Sequence, residues 1–267
     1  MRNLSAWRTR LSLLDLLSLL SSPPLNKLNK LIFMTNLTQI RDLLLDLIFP
    51  RRCIGCGAEG ELLCLSCLNL FPRLTPPYCQ CCAVPFSGGR LCPNCLKSPP
   101  AIDGIRSVFL HRGLARDAVR HLKYRNLKAL ARSLAELMAE YLVSNPLPAD
   151  IMVAVPLHSK RVRQRGYNQS DLLAEELSRL INLPTASGSF VRLRNTPSQV
   201  SLGAEARHSN VQGAFHCKNP VYQGKGVLLV DDVCTTGATL NACAVALKGA
   251  GAASVWALTL SRETMGG

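Results

Sequence analysis

Nine of the twelve cysteines fall between residues 53 and 95, and this clustering constrains the fold more than any other feature of the chain. Cys53-x-x-Cys56 is followed after seven residues by Cys64-x-x-Cys67, and Cys79-Gln80-Cys81-Cys82 is followed after nine by Cys92-x-x-Cys95. Each Cys-x-x-Cys turn aims two thiolates at one metal, and two such turns make the tetrahedral four-sulfur set of structural zinc. Four knuckles therefore predict two structural Zn²⁺ ions, paired in sequence order. Cys53, Cys56, Cys64 and Cys67 take one ion, and Cys79, Cys82, Cys92 and Cys95 take the other. Cys81 is supernumerary. A cross-braced pairing, an iron–sulfur cluster, and disulfide or redox pairs are the rivals. Tight clustering without a convincing export signal favours metal over a disulfide net.

A chain of 267 residues holds this module and one further domain, and its 48% apolar content supports an ordinary core. The net charge of +14 favours phosphate esters, nucleic acid or an anionic membrane surface without choosing among them. The N-terminus sets Arg2, Arg8 and Arg10 before a leucine-rich run that Asp15 interrupts, and no clean small-x-small site follows. Residues 1–33 read as an upstream extension or misplaced start before Met34, with a membrane-surface or partner helix as the rival. Residues 34–50 contain an amphipathic helix, 51–98 form the cysteine module, and a Pro-rich joint at Ser98-Pro99-Pro100 leads into a domain over 101–262. No run reaches the roughly 18 uninterrupted apolar residues of a spanning helix, so no integral membrane segment is expected.

After the joint come a short strand at 105–110, helices at about 113–124 and 127–143, and a buried strand at 151–155. A helix at 170–181, a second buried strand at 227–230, a helix at 238–249 and a last strand at 255–260 complete the pattern. Short apolar strands joined through helices predict an α/β fold with a parallel sheet covered on both faces. The most informative run is Val227-Leu-Leu-Val230-Asp231-Asp232-Val233-Cys234-Thr235-Thr236-Gly237-Ala238-Thr239. It leaves the carboxyl edge of the sheet, where open α/β sheets bind ligands. Asp231 and Asp232 are acceptors suited to ribose hydroxyls. Thr235, Thr236 and Thr239 offer hydroxyls, Gly237 admits an anion close to the backbone, and the helix opening at Ala238 presents unpaired N–H groups. Cys234, inside this loop, reads as an accessible thiol. No Gly-Lys-Ser/Thr follows, so the loop is not of the Walker type.

The first buried strand leads into a loop carrying Lys160, Arg161, Arg163 and Arg165, a charge density suited to a pyrophosphate. A long polar stretch, 192–216, contributes Arg192, Arg194 and Arg207, and its length points to function or disorder. Arg112, Arg116, Arg120 and Lys123 share one face of the 113–124 helix. Three readings stay open for that stripe: a solvated face, a wall of the phosphate site, or a track for single-stranded DNA.

The 227–240 run resembles the PRPP (5-phosphoribosyl-1-pyrophosphate) signature of type I phosphoribosyltransferases. Together with Arg165-Gly-Tyr-Asn-Gln169, Gln199-Val-Ser-Leu202, Arg207 and Asn210-Val-Gln-Gly-Ala-Phe215, it resembles the ComF (competence protein F) family over about residues 45–262. That resemblance implies a double zinc ribbon before a phosphoribosyltransferase-like domain. It implies that PRPP and Mg²⁺ bind, with residues 231–239 on the ribose and 5-phosphate and with Lys160, Arg161, Arg165, Arg194 and Arg207 on the pyrophosphate. It further implies a closing mobile loop, a link to DNA uptake and use of external DNA, and other uptake proteins and single-stranded DNA as partners. The expected location is the cytoplasm, in association with the inner membrane. Two functions follow: phosphoribosyl transfer to an unknown acceptor, or non-catalytic sensing of PRPP or a nucleotide. No recognisable base pocket can be read in 101–147.

Overall fold

A computed structural model describes residues 51–194 and 213–264. The N-terminal extension, the amphipathic helix at 34–50, and Arg207 with the rest of 195–212 lie outside the described residues. Two short helices, α1 (Leu65–Leu68) and α2 (Pro93–Lys97), sit in the cysteine module. Then come β1 (Gly104–Leu110), α3 (Gly113–Tyr124), α4 (Leu130–Ser144), β2 (Ile151–Ala154), α5 (Ser159–Arg165) and α6 (Gln169–Ile181). They are followed by β3 (Phe190–Arg192), β4 (Phe215–Cys217), β5 (Gly226–Cys234), α7 (Ala238–Gly249) and β6 (Ser254–Arg262). Four strands form a parallel sheet in the order β1-β6-β5-β2. β3 and β4 pair antiparallel as a separate ribbon, an element that the irregular polarity of 192–216 concealed.

Both faces of the sheet are covered, which is why its strands read as continuous apolar runs. On one side α3, α4 and α6 bury Val119, Leu122, Leu130, Leu134, Leu173 and Leu177 against Leu228, Val230, Leu258 and Leu260. On the other, α7 buries Leu240, Cys243 and Leu247 with Val227, Leu229 and Val255. Cys243 is thus a packing residue, and Cys217 is partly buried beside the same cluster.

Two elements depart from the sequence reading. The second buried strand does not stop at Val230. It continues through both aspartates to Cys234, because β6 goes on pairing with it: Asp231 faces Thr259, Val233 faces Ser261 and Cys234 faces Arg262. The polar end of β6 is satisfied internally, with Ser107 Oγ and Thr259 Oγ1 2.6 Å apart and His111 Nδ1 2.8 Å from Ser261 Oγ. The basic loop after β2 is in fact the helix α5. His158 Nδ1 accepts from the Lys160 N–H at its start, and Gly166 ends it in the left-handed region at φ 84°.

The cysteine module is packed against the sheet rather than held away by the Pro-rich joint. β1 is an edge strand, and its backbone groups pair with the module. Leu74 N donates to Val108 O at 3.0 Å, Leu110 N to Pro72 O at 2.7 Å, and Ile105 N to Cys81 O at 2.7 Å. Leu63 and Phe71 enter the core of the larger domain. The supernumerary Cys81 is therefore placed by its backbone.

The sulfurs group in sequence order. The four Sγ atoms of Cys53, Cys56, Cys64 and Cys67 lie within 4.8 Å of one another, as do those of Cys79, Cys82, Cys92 and Cys95. Cys56 and Cys64 Sγ are 3.6 Å apart, and Cys82 and Cys92 Sγ 3.8 Å. Four thiolates about 2.3 Å from one zinc stand about 3.8 Å from each other, so both sets fit the ion. Backbone N–H groups of Cys64 and Cys92 reach Cys53 and Cys79 Sγ at 3.5 and 3.3 Å. Such donors favour the thiolate form that zinc needs.

Metal analysis of protein purified without chelator should give about two zinc ions per chain. Cys64→Ser should lose one of them and Cys81→Ser none; iron, or an ion lost with Cys81, contradicts the assignment. In the main core, Leu134 is fully buried, so Leu134→Ala should lower the denaturant-measured stability by about 2–5 kcal/mol. Val143→Ala, on a side chain 83% exposed, should change it by less than about 0.5 kcal/mol.

Candidate anion-binding cavity at the end of the central strands

The carboxyl ends of β2 and β5 open into a cavity of about 510 Å³. From the 231–239 run it is lined by Asp231, Asp232, Val233, Cys234, Thr235, Gly237 and Thr239; from α5 by Arg161 and Arg165; and from β3 by Arg192. Helix α3 closes another side with Arg116, Val119, Arg120, Lys123 and Tyr124. The cavity therefore collects six cationic side chains against Asp231, Asp232 and Glu263. Of the sequence-derived candidates, Lys160 and Arg194 are exposed and absent from its lining. Thr236 and Ala238 also stand outside the lining, but Thr236 Oγ1 accepts from Ala238 N at 3.3 Å and so shapes the turn.

Gly237 precedes α7 with φ 85°, and an added Cβ there would meet Ile105 Cδ1 at 3.2 Å. A left-handed residue in a crowded place requires glycine, and the turn it makes brings the first N–H groups of α7 to the cavity. Cys234 does not behave as an accessible thiol. It is 2% exposed, Arg262 Nη1 donates to its Sγ, and burial pushes the thiol up. Its position on the strand, not in the loop, explains the difference.

The two aspartates have separate surroundings, as alternation along a strand requires. Asp232 is 2% exposed, and its Oδ1 lies 2.8 Å from Lys123 Nζ, whereas its Oδ2 is buried without a hydrogen-bond partner among the described residues. Burial disfavours the Lys123 charge, but Asp232 more than offsets this and raises the ammonium above its usual range. Asp231 is half-buried. Its Oδ1 accepts from Ser170 Oγ at 2.8 Å and from Asp232 N at 2.9 Å. Burial, then the neighbouring Asp232 charge, push the Asp231 carboxyl up to about 7 against the opposing pull of Lys123.

The Arg165-Gly-Tyr-Asn-Gln169 run assembles the cavity wall. Tyr167 OH donates to Leu122 O, tying the connection between α5 and α6 to α3. Asn168 Nδ2 donates to Val155 O at 3.0 Å at the end of β2, while its Oδ1 caps α6 by accepting from Ser170 N at 3.2 Å. That cap delivers Ser170 to Asp231. Arg165 bonds Gln169 and lies over the Tyr124 ring at 5.3 Å. Ser170 and Lys123 as partners of the aspartates, and His111 on the rim, were not singled out from sequence. The i, i+4 and i, i+3 spacing of the α3 stripe was the available signal for Lys123; nothing local marked the other two. A second cavity of about 410 Å³ between α5, α6 and residues 185–192 shares Pro156, Leu157 and Arg192 with the first but none of residues 231–239.

Two family models match the chain. Residues 44–96 match the double zinc ribbon domain, and residues 169–264 match the phosphoribosyl transferase domain. The DNA utilization protein YhgH of Escherichia coli K12 is 35% identical over 195 residues, 70% of this chain and 85% of that protein. Competence protein F of Haemophilus influenzae is 31% identical over 228 residues, 80% of this chain and 98% of that protein. Competence protein ComFC of Bacillus subtilis is 29% identical over 211 residues, 76% of this chain and 85% of that protein. Among solved structures, the glutamine PRPP amidotransferase of Bacillus subtilis overlaps 49% of this chain and 26% of its own at 19% identity, with a TM-score of 0.35. With a double zinc ribbon, a parallel-sheet phosphoribosyltransferase-like domain and relatives matched over most of their length, the chain belongs to the ComF (competence protein F) family.

Proposed function

We propose that the 510 Å³ cavity binds PRPP together with Mg²⁺, and that the protein uses this site in the uptake or use of external DNA. The supporting observation is the convergence, on one cavity, of the Thr235–Thr239 turn, the Asp231 carboxylate and the α5 arginines. A 5-phosphate suits the turn, where Gly237 precedes the α7 N-terminus and Thr235 and Thr239 line the cavity. A ribose hydroxyl suits Asp231, which keeps a free oxygen lone pair beyond its bond from Ser170. A pyrophosphate suits Arg161 and Arg165, whose planar forks match phosphate oxygens. Asp232, held by Lys123, shapes the site and is a poor candidate for a direct ribose contact.

When bound with PRPP, Mg²⁺ would share the pyrophosphate charge, and Asp231, a half-buried carboxylate lining the cavity, would be a residue to hold it. If transfer occurs, the arginines of α5 stabilise the departing pyrophosphate, and fixed charges in a partly closed site act without reorganising. A non-catalytic PRPP sensor uses the same contacts. The relatives are named for DNA utilization and competence, which supports this context. No helix of the described residues is long and apolar enough to cross a membrane.

Calorimetric titration with PRPP–Mg²⁺ tests the reading. Asp231→Asn should weaken binding at least about tenfold, close to 1.4 kcal/mol, without loss of fold; unchanged affinity in a folded variant contradicts the assignment. Asp232→Asn should behave differently. It leaves the Lys123 charge unpaired in a largely buried place and should lower folding stability by about 2–3 kcal/mol.

The pH dependence has a definite sign. The Asp231 carboxyl, raised to about 7, must lose its proton to accept a ribose hydroxyl, so acid competes with ligand. Affinity should fall about tenfold from pH 8 to pH 6. PRPP phosphates titrate in the same range, so the reading is the difference from Asp231→Asn, whose profile should be flatter. Parallel profiles would remove Asp231 from the ribose contact.

A further inference from the structure

Helix α3 brings more positive charge to the cavity than PRPP, placed as above, can use. The 5-phosphate is met by a helix N-terminus and the pyrophosphate by α5. Lys123 is committed to Asp232 at 2.8 Å. Arg116 and Arg120 remain, on a different wall of the same cavity. The nearest carboxylate to Arg116 is its own neighbour Asp117, at 3.9 Å and exposed, a contact of little worth. Arg120 makes no hydrogen bond or ion pair among the described residues. Arg112, the fourth member of the stripe, does not line the cavity, so the fold selects two of the arginines for this wall. Beside them Tyr124 lies 69% exposed with Arg165 stacked over its ring. A wall for a neutral base would be apolar or neutral-polar; here Val119 is the one apolar residue that α3 adds.

We infer that Arg116, Arg120 and Tyr124 form a subsite for a second, phosphate-bearing ligand, a nucleoside phosphate whose phosphate meets the two arginines and whose base lies on the tyrosine. The inference rests on PRPP occupying the turn and α5, and it names the class of molecule that PRPP would meet. A free nucleotide and the 5′-phosphorylated end of a single strand share this chemistry.

The test is calorimetric titration with AMP, adenosine and a 5′-phosphorylated ten-residue oligothymidylate, each with and without saturating PRPP–Mg²⁺. AMP should bind the PRPP-loaded protein at least tenfold more tightly than adenosine does. Arg116→Ala with Arg120→Ala should bring AMP down to the adenosine level while altering PRPP affinity less than threefold. Binding of the oligonucleotide as well as AMP places the source in a nucleic-acid end, and binding of AMP alone places it in a free nucleotide; either supports the subsite. Equal binding of AMP and adenosine, AMP that merely displaces PRPP, or AMP binding unchanged in the double variant would overturn it. If PRPP itself does not bind, the cavity assignment fails, and the unloaded titrations still decide whether the two arginines hold phosphate. Both arginines are exposed, so the variant keeps the core intact, which circular dichroism checks.

Discussion

The ion pair between Lys123 and Asp232 sets the geometry on which the site depends. It joins α3 to the end of the central strand β5 at 2.8 Å, with the carboxylate almost wholly buried. Breaking such a pair is costly because one charge is then left in a medium that cannot solvate it. The pair therefore fixes where α3 stands, and with it Arg116, Arg120 and Tyr124. Burial, and then the charged Asp232 next to it, make the second carboxylate, Asp231, hold its proton to a higher pH than an ordinary aspartate. Two identical residues in sequence thus acquire different work. Asp232 organises the wall, and Asp231 faces the cavity.

The same economy governs the zinc module. An edge strand such as β1 carries unpaired backbone groups that invite other chains. Residues 72–81 occupy that edge, and the module's own fold, too small for a core, is held by its two four-sulfur sets. Arg73 reaches Glu140 of α4 at 3.1 Å, and Arg106 donates to Gln80 O at 2.9 Å. Loss of metal would therefore expose a sheet edge as well as unfold a module.

What the sequence disclosed was whatever had a short period or a fixed spacing. Knuckle spacing gave the eight metal-ligand cysteines, because a Cys-x-x-Cys turn fixes its own geometry, whereas their grouping in sequence order over a cross-brace comes from the positions of the sulfurs. The run Val227–Val230 gave a buried strand, and Gly237 before an apolar helix gave the turn. In sequence Asp231 and Asp232 look like strand terminators, whereas the polar ladder of Ser107, Thr259 and Ser261 on neighbouring strands carries β5 through them and buries Cys234. The α5 helix was hidden by its charge, and the roles of Ser170 and His111 are long-range contacts that no local pattern encodes. Lys160 belongs to the segment that lines the cavity but is exposed and absent from the lining.

The cavity at the ends of β2 and β5 is proposed as a PRPP site. A crystal structure of the protein with PRPP and Mg²⁺ tests it most directly. The 5-phosphate should lie within hydrogen-bond reach of the Thr235–Thr239 turn, with a ribose hydroxyl on Asp231 and the pyrophosphate facing Arg161 and Arg165. A 5-phosphate seated on Arg116 and Arg120, or PRPP lodged in the cavity between α5 and α6, would contradict it.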